Sequence, residues 1–347
     1  MKHATRSFKG RIMLAGVLLL LFLLYLPTPY MKYEPGLAED VRPMVIVAEG
    51  ESIPSDAGQG RFLMTTVKLS AANYWQVIRS SWDSSSDLVS RRNALRGYSE
   101  EEYMDRMSLI MEGSQSAAIE AAYRSAALPY EAVPVALAVT DVPETERGDE
   151  GLKAGDIILR AGKDRMVNSI ASLIAAIPST GGKVPVEVRR GKIEQPVRLT
   201  LDAVIPDEGA LTPDNLSRAL GGIVFMEQQS VRANNPKLGV RIEAGSIGGP
   251  SAGLMFALQA QDLLTDGDLT DGLIIAGTGT LTAEGSVGPI GGIPYKITAA
   301  HQAGAQLFLA PAGNYAAAAA RARSLGTTMK VVPVRTLNDA IRAIQLF

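Results

Sequence analysis

The chain opens on basic residues followed by an unbroken apolar run. Lys2, Arg6, Lys9 and Arg11 precede IMLAGVLLLLFLLYL at residues 12–26, which carries no charge. This run is shorter than the roughly 20 residues a helix needs to cross a bilayer core. It reaches that length if Thr28 to Tyr30 sit among the lipid headgroups. A cleaved signal peptide would need a small-residue site after Leu26, where the chain instead reads PTPYMKY. Residues 1–30 are therefore expected to form a cytoplasmic tail and an uncleaved transmembrane signal anchor. The basic flank places the N-terminus in the cytoplasm and the rest on the extracytoplasmic side of the cell membrane.

Beyond the run the period changes several times. Residues 43–70 alternate as strands do, in PMVIVAEG and GRFLMTTVKLS. Ser99 followed by Glu102 three positions on resembles a capping box, and predicts a long helix to Leu128 with an Ala-rich end suited to close packing. Residues 31–130 are read as an N-terminal α+β region. Residues 131–204 read as short strands around one helix: PVALAVTDV, GLKAGDIILRAGKDRM, the helical NSIASLIAAI, then the hairpin KVPVEVRRGKIEQPVRLTL. Residues 205–347 alternate strand and helix, as an α/β domain does.

Composition narrows the chemistry. The 34 basic and 36 acidic residues are nearly balanced and point to no nucleic-acid partner. There is no cysteine, which removes disulfides, thiolate catalysis and cysteine-bound metals. With only His3 and His301, a zinc site built on a histidine pair is not expected. No G-x-x-x-x-G-K-[ST] or G-x-G-x-x-G pattern occurs, so no nucleotide or other cofactor is expected.

One stretch stands out. Residues 245–258 read GSIGGPSAGLMFAL, with a single hydroxyl, Ser251, after glycines and a proline at the entrance of an apolar helix. Ser251 is either a helix N-cap or a nucleophile placed where main-chain N–H groups can hold an oxyanion. A serine nucleophile needs a base. His301 and Lys296 share one predicted helix, but five positions at about 100° each put them on different faces. Lys296 follows the apolar PIGGIPY, where burial would lower its pKa toward a neutral amine.

GGPSAG, then GTGTLTAEGSVGPIGGIPYK, then ITAAHQAG resemble the proteolytic domain of the Lon family of serine–lysine peptidases. By position the resemblance implies Ser251 as nucleophile, Lys296 as general base and Thr278 as the threonine beside the dyad. Two positions depart from it: Gly248 stands where many ATP-dependent members carry aspartate, and Thr280 where they carry glutamate. LKAGDIILRAGKDRM resembles the core of bacterial PDZ domains. Anchor, PDZ-like segment and Lon-type domain together resemble the membrane-anchored PDZ–Lon peptidases of the YlbL type. The implied function is ATP-independent serine endopeptidase action on extracytoplasmic or membrane proteins, with protein or peptide substrates as partners. An extended substrate is expected to pair with the strand LGVRIEAGS, and a homo-oligomer is expected from the ring assembly of Lon-type domains. The alternative is a PDZ-containing scaffold whose Lon-like domain is inactive or cleaves only its own chain.

Overall fold

The structure, a computed structural model, describes residues 2–47, 60–80, 82, 86–148, 150–191, 193, 195–205, 210–245 and 247–347, with side chains from residue 10 onward. Helix α1 (Lys2–Tyr25) holds the apolar run. It leads directly into strand β1 (Pro27–Asp40), followed by β2 (Val45–Val47), β3 (Arg61–Asn73), α2 (Tyr74–Ser80), β4 (Asp87–Ser90), α3 (Arg91–Ala94) and α4 (Glu100–Ser125). Thr28 to Tyr30 are thus strand residues, not a headgroup-level extension of the helix. Thr28 Oγ1 donates to Ala72 O at 2.7 Å, and Met31 pairs with Ala71. Among the described residues no helix is long and apolar enough to cross a membrane.

Helix α4 starts where the sequence places it. Ser99 accepts from the Glu102 N–H, and Glu102 accepts from the Ser99 N–H, a reciprocal capping box.

A mainly antiparallel unit follows: β5 (Tyr130–Asp141), β6 (Ile157–Ala161), β7 (Arg165–Met166), α5 (Ile170–Ala176), β8 (Gly182–Arg189), β9 (Val197–Ala203), α6 (Pro213–Ala219) and β10 (Val224–Ala233). Its sheet runs β10-β5-β6-β8-β9. Its own core joins Leu137, Ile158, Leu173, Val186 and Leu201 to Leu216, Leu220 and Ile223. Packing and pairing therefore group residues up to about 233 with this unit, well past the boundary at 204 that the strand pattern suggests. Apolar residues on α6 look alike whichever core they enter.

The GD of LKAGD has a structural purpose. Asp156 is buried, accepts from the Lys153 N–H and is paired with Arg190 at 2.7 Å. Gly155 has φ +102°, and a Cβ there would lie 2.8 Å from Cβ of Asp105 on α4.

The last third comprises β11 (Val240–Ile242), α7 (Gly253–Leu264), β12 (Ile274–Gly277), β13 (Thr280–Leu281), β14 (Val287–Gly288), α8 (Ile293–Gln302), β15 (Leu307–Pro311), α9 (Tyr315–Ser324), β16 (Lys330–Val334) and α10 (Leu337–Gln345). Among the described residues β12, β15 and β16 share one six-stranded sheet with β1, β3 and β4, in the order β16-β15-β12-β3-β1-β4. β12 runs parallel to both β3 and β15, and β1 is antiparallel to β3.

The α+β region expected as a separate block is thus a structural half of the α/β domain, and residues 130–233 are inserted between the halves. Period-two alternation in β3 explains the join. Phe62 and Met64 enter a core with Tyr123 of α4, Phe256 of α7 and Ile344 of α10, while Leu63 faces Ile297 of α8 and Ala318 of α9. A strand with two apolar faces must be covered on both sides. β11 is antiparallel to β2, Val240 opposite Val47, so one edge of the strand expected to receive substrate already carries a neighbour.

Candidate active site

Ser251 lies in a 3-10 turn, Pro250–Ala252, immediately before α7. The helix N-cap is Ala252, and no side chain caps it. The Ser251 hydroxyl is therefore free of the capping role. Its backbone is held firmly: Ser251 O accepts from Gly279 N at 2.9 Å and from Thr278 Oγ1 at 3.0 Å. Thr278 is fully buried. Helix α4 braces the other side. Ser114 Oγ donates to Pro250 O at 3.1 Å, and the Gly249 N–H donates to Met107 O at 3.1 Å. Gly249 adopts φ +90°, which a side chain would resist.

Lys296 sits in the first turns of α8, on the face that meets the sheet, and is 3% exposed. Its Nζ lies 3.0 Å from Ser251 Oγ and also donates to Thr65 O on β3. Burial lowers its pKa from 10.5 to about 8. A neutral amine has N–H groups to give and one lone pair to receive. With Thr65 O taking an N–H, the lone pair can be directed at the serine hydroxyl. His301 is exposed on another face of α8, and its Nδ1 meets Thr327 Oγ1 at 3.0 Å.

Ser251 and Lys296 open onto a cleft of about 760 Å³. Its walls include Met64, Thr65 and Val67 of β3, Met107 and Met111 of α4, Tyr33 of β1, and Tyr295. The two motif departures have physical counterparts. A Cβ at Gly248 would stand 2.9 Å from Met107 Cβ, so the methionine occupies the room an aspartate would need. Thr280 pairs with Gly288 across the β13–β14 hairpin, and a Cβ on Gly288 would fall 2.3 Å from Thr280 Oγ1.

A glycine-flanked serine bonded to a buried lysine, with a threonine fixing the serine carbonyl, is a specific arrangement. Residues 224–346 match the model of the Lon protease (S16) C-terminal proteolytic domain. Over these residues the chain is similar to the proteolytic domain of Lon proteases. A Lon protease of Campylobacter concisus is 37% identical over 95 residues, covering 27% of this chain and 12% of the relative. Lon protease 1 of Herpetosiphon aurantiacus is 41% identical over 86 residues, 24% of this chain and 10% of the relative. A Lon protease of Syntrophus aciditrophicus is 29% identical over 193 residues, 50% of this chain and 23% of the relative. The chain thus spans less than a quarter of the length of each of these proteins.

The matched stretch of the Lon-type domain contains Ser251, Thr278 and Lys296, but not Thr65, Met107 or Ser114. Sequence reasoning missed those three. Thr65 contributes a main-chain carbonyl 231 positions from Lys296, and a carbonyl leaves no side-chain signature. The only available signal was the apolar alternation of β3, which marks a buried strand without naming its neighbour.

Proposed function

We propose that this chain is a membrane-anchored serine endopeptidase that needs no ATP and uses Ser251 and Lys296 as its dyad. The observation that carries the reading is Ser251 Oγ at 3.0 Å from an almost wholly buried Lys296 Nζ. Neutral Lys296 accepts the Ser251 proton as Oγ bonds to the substrate carbonyl carbon. The peptide C–N bond then breaks, and Nζ returns the proton to the leaving amine. Water attacks the resulting ester with the same lysine as base, releasing the acid and restoring the serine. The glycines around Ser251 let an extended chain approach closely and leave room for main-chain donation to the oxyanion.

The apolar, exposed surface of α1 supports the anchor, with residues after Leu26 outside the cytoplasm. The inserted unit reads as a PDZ-like module that selects substrate before it reaches the cleft. Its supports are its antiparallel sheet, the helix α5 between β7 and β8 and the buried Asp156 of LKAGD. The test is hydrolysis of an unstructured protein by the full chain purified in detergent. Ser251→Ala and Lys296→Arg should each remove activity with the fold retained; full activity in either overturns the reading.

A further inference from the structure

Apart from Tyr315 and Phe347, the exposed aromatic residues among the described residues fall between positions 22 and 82. The chain has two tryptophans, Trp75 and Trp82, 47% and 79% exposed, and both lie on or just after α2. Tyr74 and Ile78 of the same short helix are also exposed, and α2 has no buried residue. Buried tryptophan is the usual way a fold uses so large an apolar side chain, so leaving both in water calls for a partner.

The partner is indicated by what α2 touches. The Phe22 ring on α1 stacks on Tyr74 with centroids 5.0 Å apart, and Asn73 Nδ2 donates to Leu24 O at 2.8 Å. Pro27, just past α1, pairs with Asn73, just before α2. These contacts fix α2 beside the last turn of the apolar helix. Phe22 lies within the apolar run, so a bilayer that takes in Phe22 holds Tyr74 at the same depth. The run of residues 12–26 measures roughly 22 Å as a helix, against a hydrocarbon core of about 30 Å. The globular body must therefore sit hard against the lipid, and its first surface there is α2. Tryptophan and tyrosine are the residues that favour the headgroup level, with ring in acyl chains and polar edge in water.

We infer that α2 and Trp82 form an interfacial platform that docks the catalytic domain on the lipid surface beside α1; this rests on the anchored reading of α1. The platform also sets a reach. β1 and β3 run from the Pro27–Asn73 end to Tyr33 and Val67, which line the cleft. Six residues of strand span at most roughly 20 Å. The dyad is thereby held over chain segments close to the outer membrane surface, which favours juxtamembrane stretches of other proteins as substrates.

Tryptophan emission reads the platform directly, because no other tryptophan exists in the chain. The experiment reconstitutes the full chain into phosphatidylcholine vesicles with or without acyl chains brominated near the headgroup. Single-tryptophan variants Trp75→Phe and Trp82→Phe report each ring. A third variant, Phe22→Trp with both native tryptophans changed to Phe, reports α1. Bromolipid should quench all three, about two-fold or more for rings at headgroup level. Quenching at position 22 without quenching of Trp75 and Trp82 overturns the platform and leaves the anchor standing. No quenching at position 22, with the chain failing to float with the vesicles, removes the anchor and the platform with it.

Discussion

The pH dependence of hydrolysis tests the lysine quantitatively. Burial brings Lys296 from 10.5 to about 8. At that value about 9% of the free enzyme carries a neutral lysine at pH 7 and about 90% at pH 9. If neutral Lys296 is the base, kcat/KM should rise about ten-fold between pH 7 and pH 9 and then level off. A solvated lysine near 10.5 would behave differently: about 0.03% neutral at pH 7, a rise of about a hundred-fold to pH 9, and no plateau before pH 10. The two curves are far apart, so the plateau reports the burial itself. The drop in pKa corresponds to about 3 kcal/mol favouring the neutral form, which the closed surroundings of Nζ must supply. The assay is hydrolysis of a short fluorogenic peptide across pH 6–10, with circular dichroism to confirm folding at each pH. Lys296→Arg should be inactive throughout, because a guanidinium stays charged. A flat profile, a rate still climbing at pH 10, or an active arginine variant would refute the assignment.

Four further outcomes follow. The folded chain holds Lys296 below its unfolded value, so between pH 8 and 10.5 only the unfolded chain keeps the proton; stability rises with pH across that window and the full cost is present below it. Lys296→Met should therefore raise stability at pH 7 by about 1 kcal/mol, after the Thr65 carbonyl loses its donor, and should become destabilising above pH 10.5 in denaturant titrations, where the lysine is neutral in both states and only the lost donor counts. Thr278→Val removes the 3.0 Å bond to Ser251 O but leaves Gly279 N in place, so it should cost about 1 kcal/mol in stability and lower kcat more than it changes KM. Gly248→Asp should fail through its clash with Met107 Cβ and be partly rescued by Met107→Gly but not by Met107→Ala, which keeps that atom, whereas His301→Ala should keep full activity; loss of peptide hydrolysis in the histidine variant would point to a different base.

Ser251, Thr278 and Lys296 were singled out in the sequence through the resemblance of their segments to the Lon proteolytic domain, and the fold brings the three together. The long helix after Ser99, whose capping box is a local interaction, and the strand–helix alternation of the last third were legible from the residues themselves. The apolar run of residues 12–26 was equally plain, but its end was not. Thr28 to Tyr30 belong to a strand because they lie between the pairs Pro27–Asn73 and Met31–Ala71 of the β1–β3 ladder, a partner far along the chain. The same reason hid the unity of the α/β domain. The alternation in β3 says that both faces are buried, and only the tertiary fold says that β12 lies beside it and that α4 and α8 cover its faces. Lys296 carries the point furthest. Sequence gave it apolar neighbours, but the depth of its burial, its bond to Thr65 O and its 3.0 Å approach to Ser251 come from three segments meeting. Desolvation is a property of everything around a charge, and most of what surrounds this one is distant in the chain.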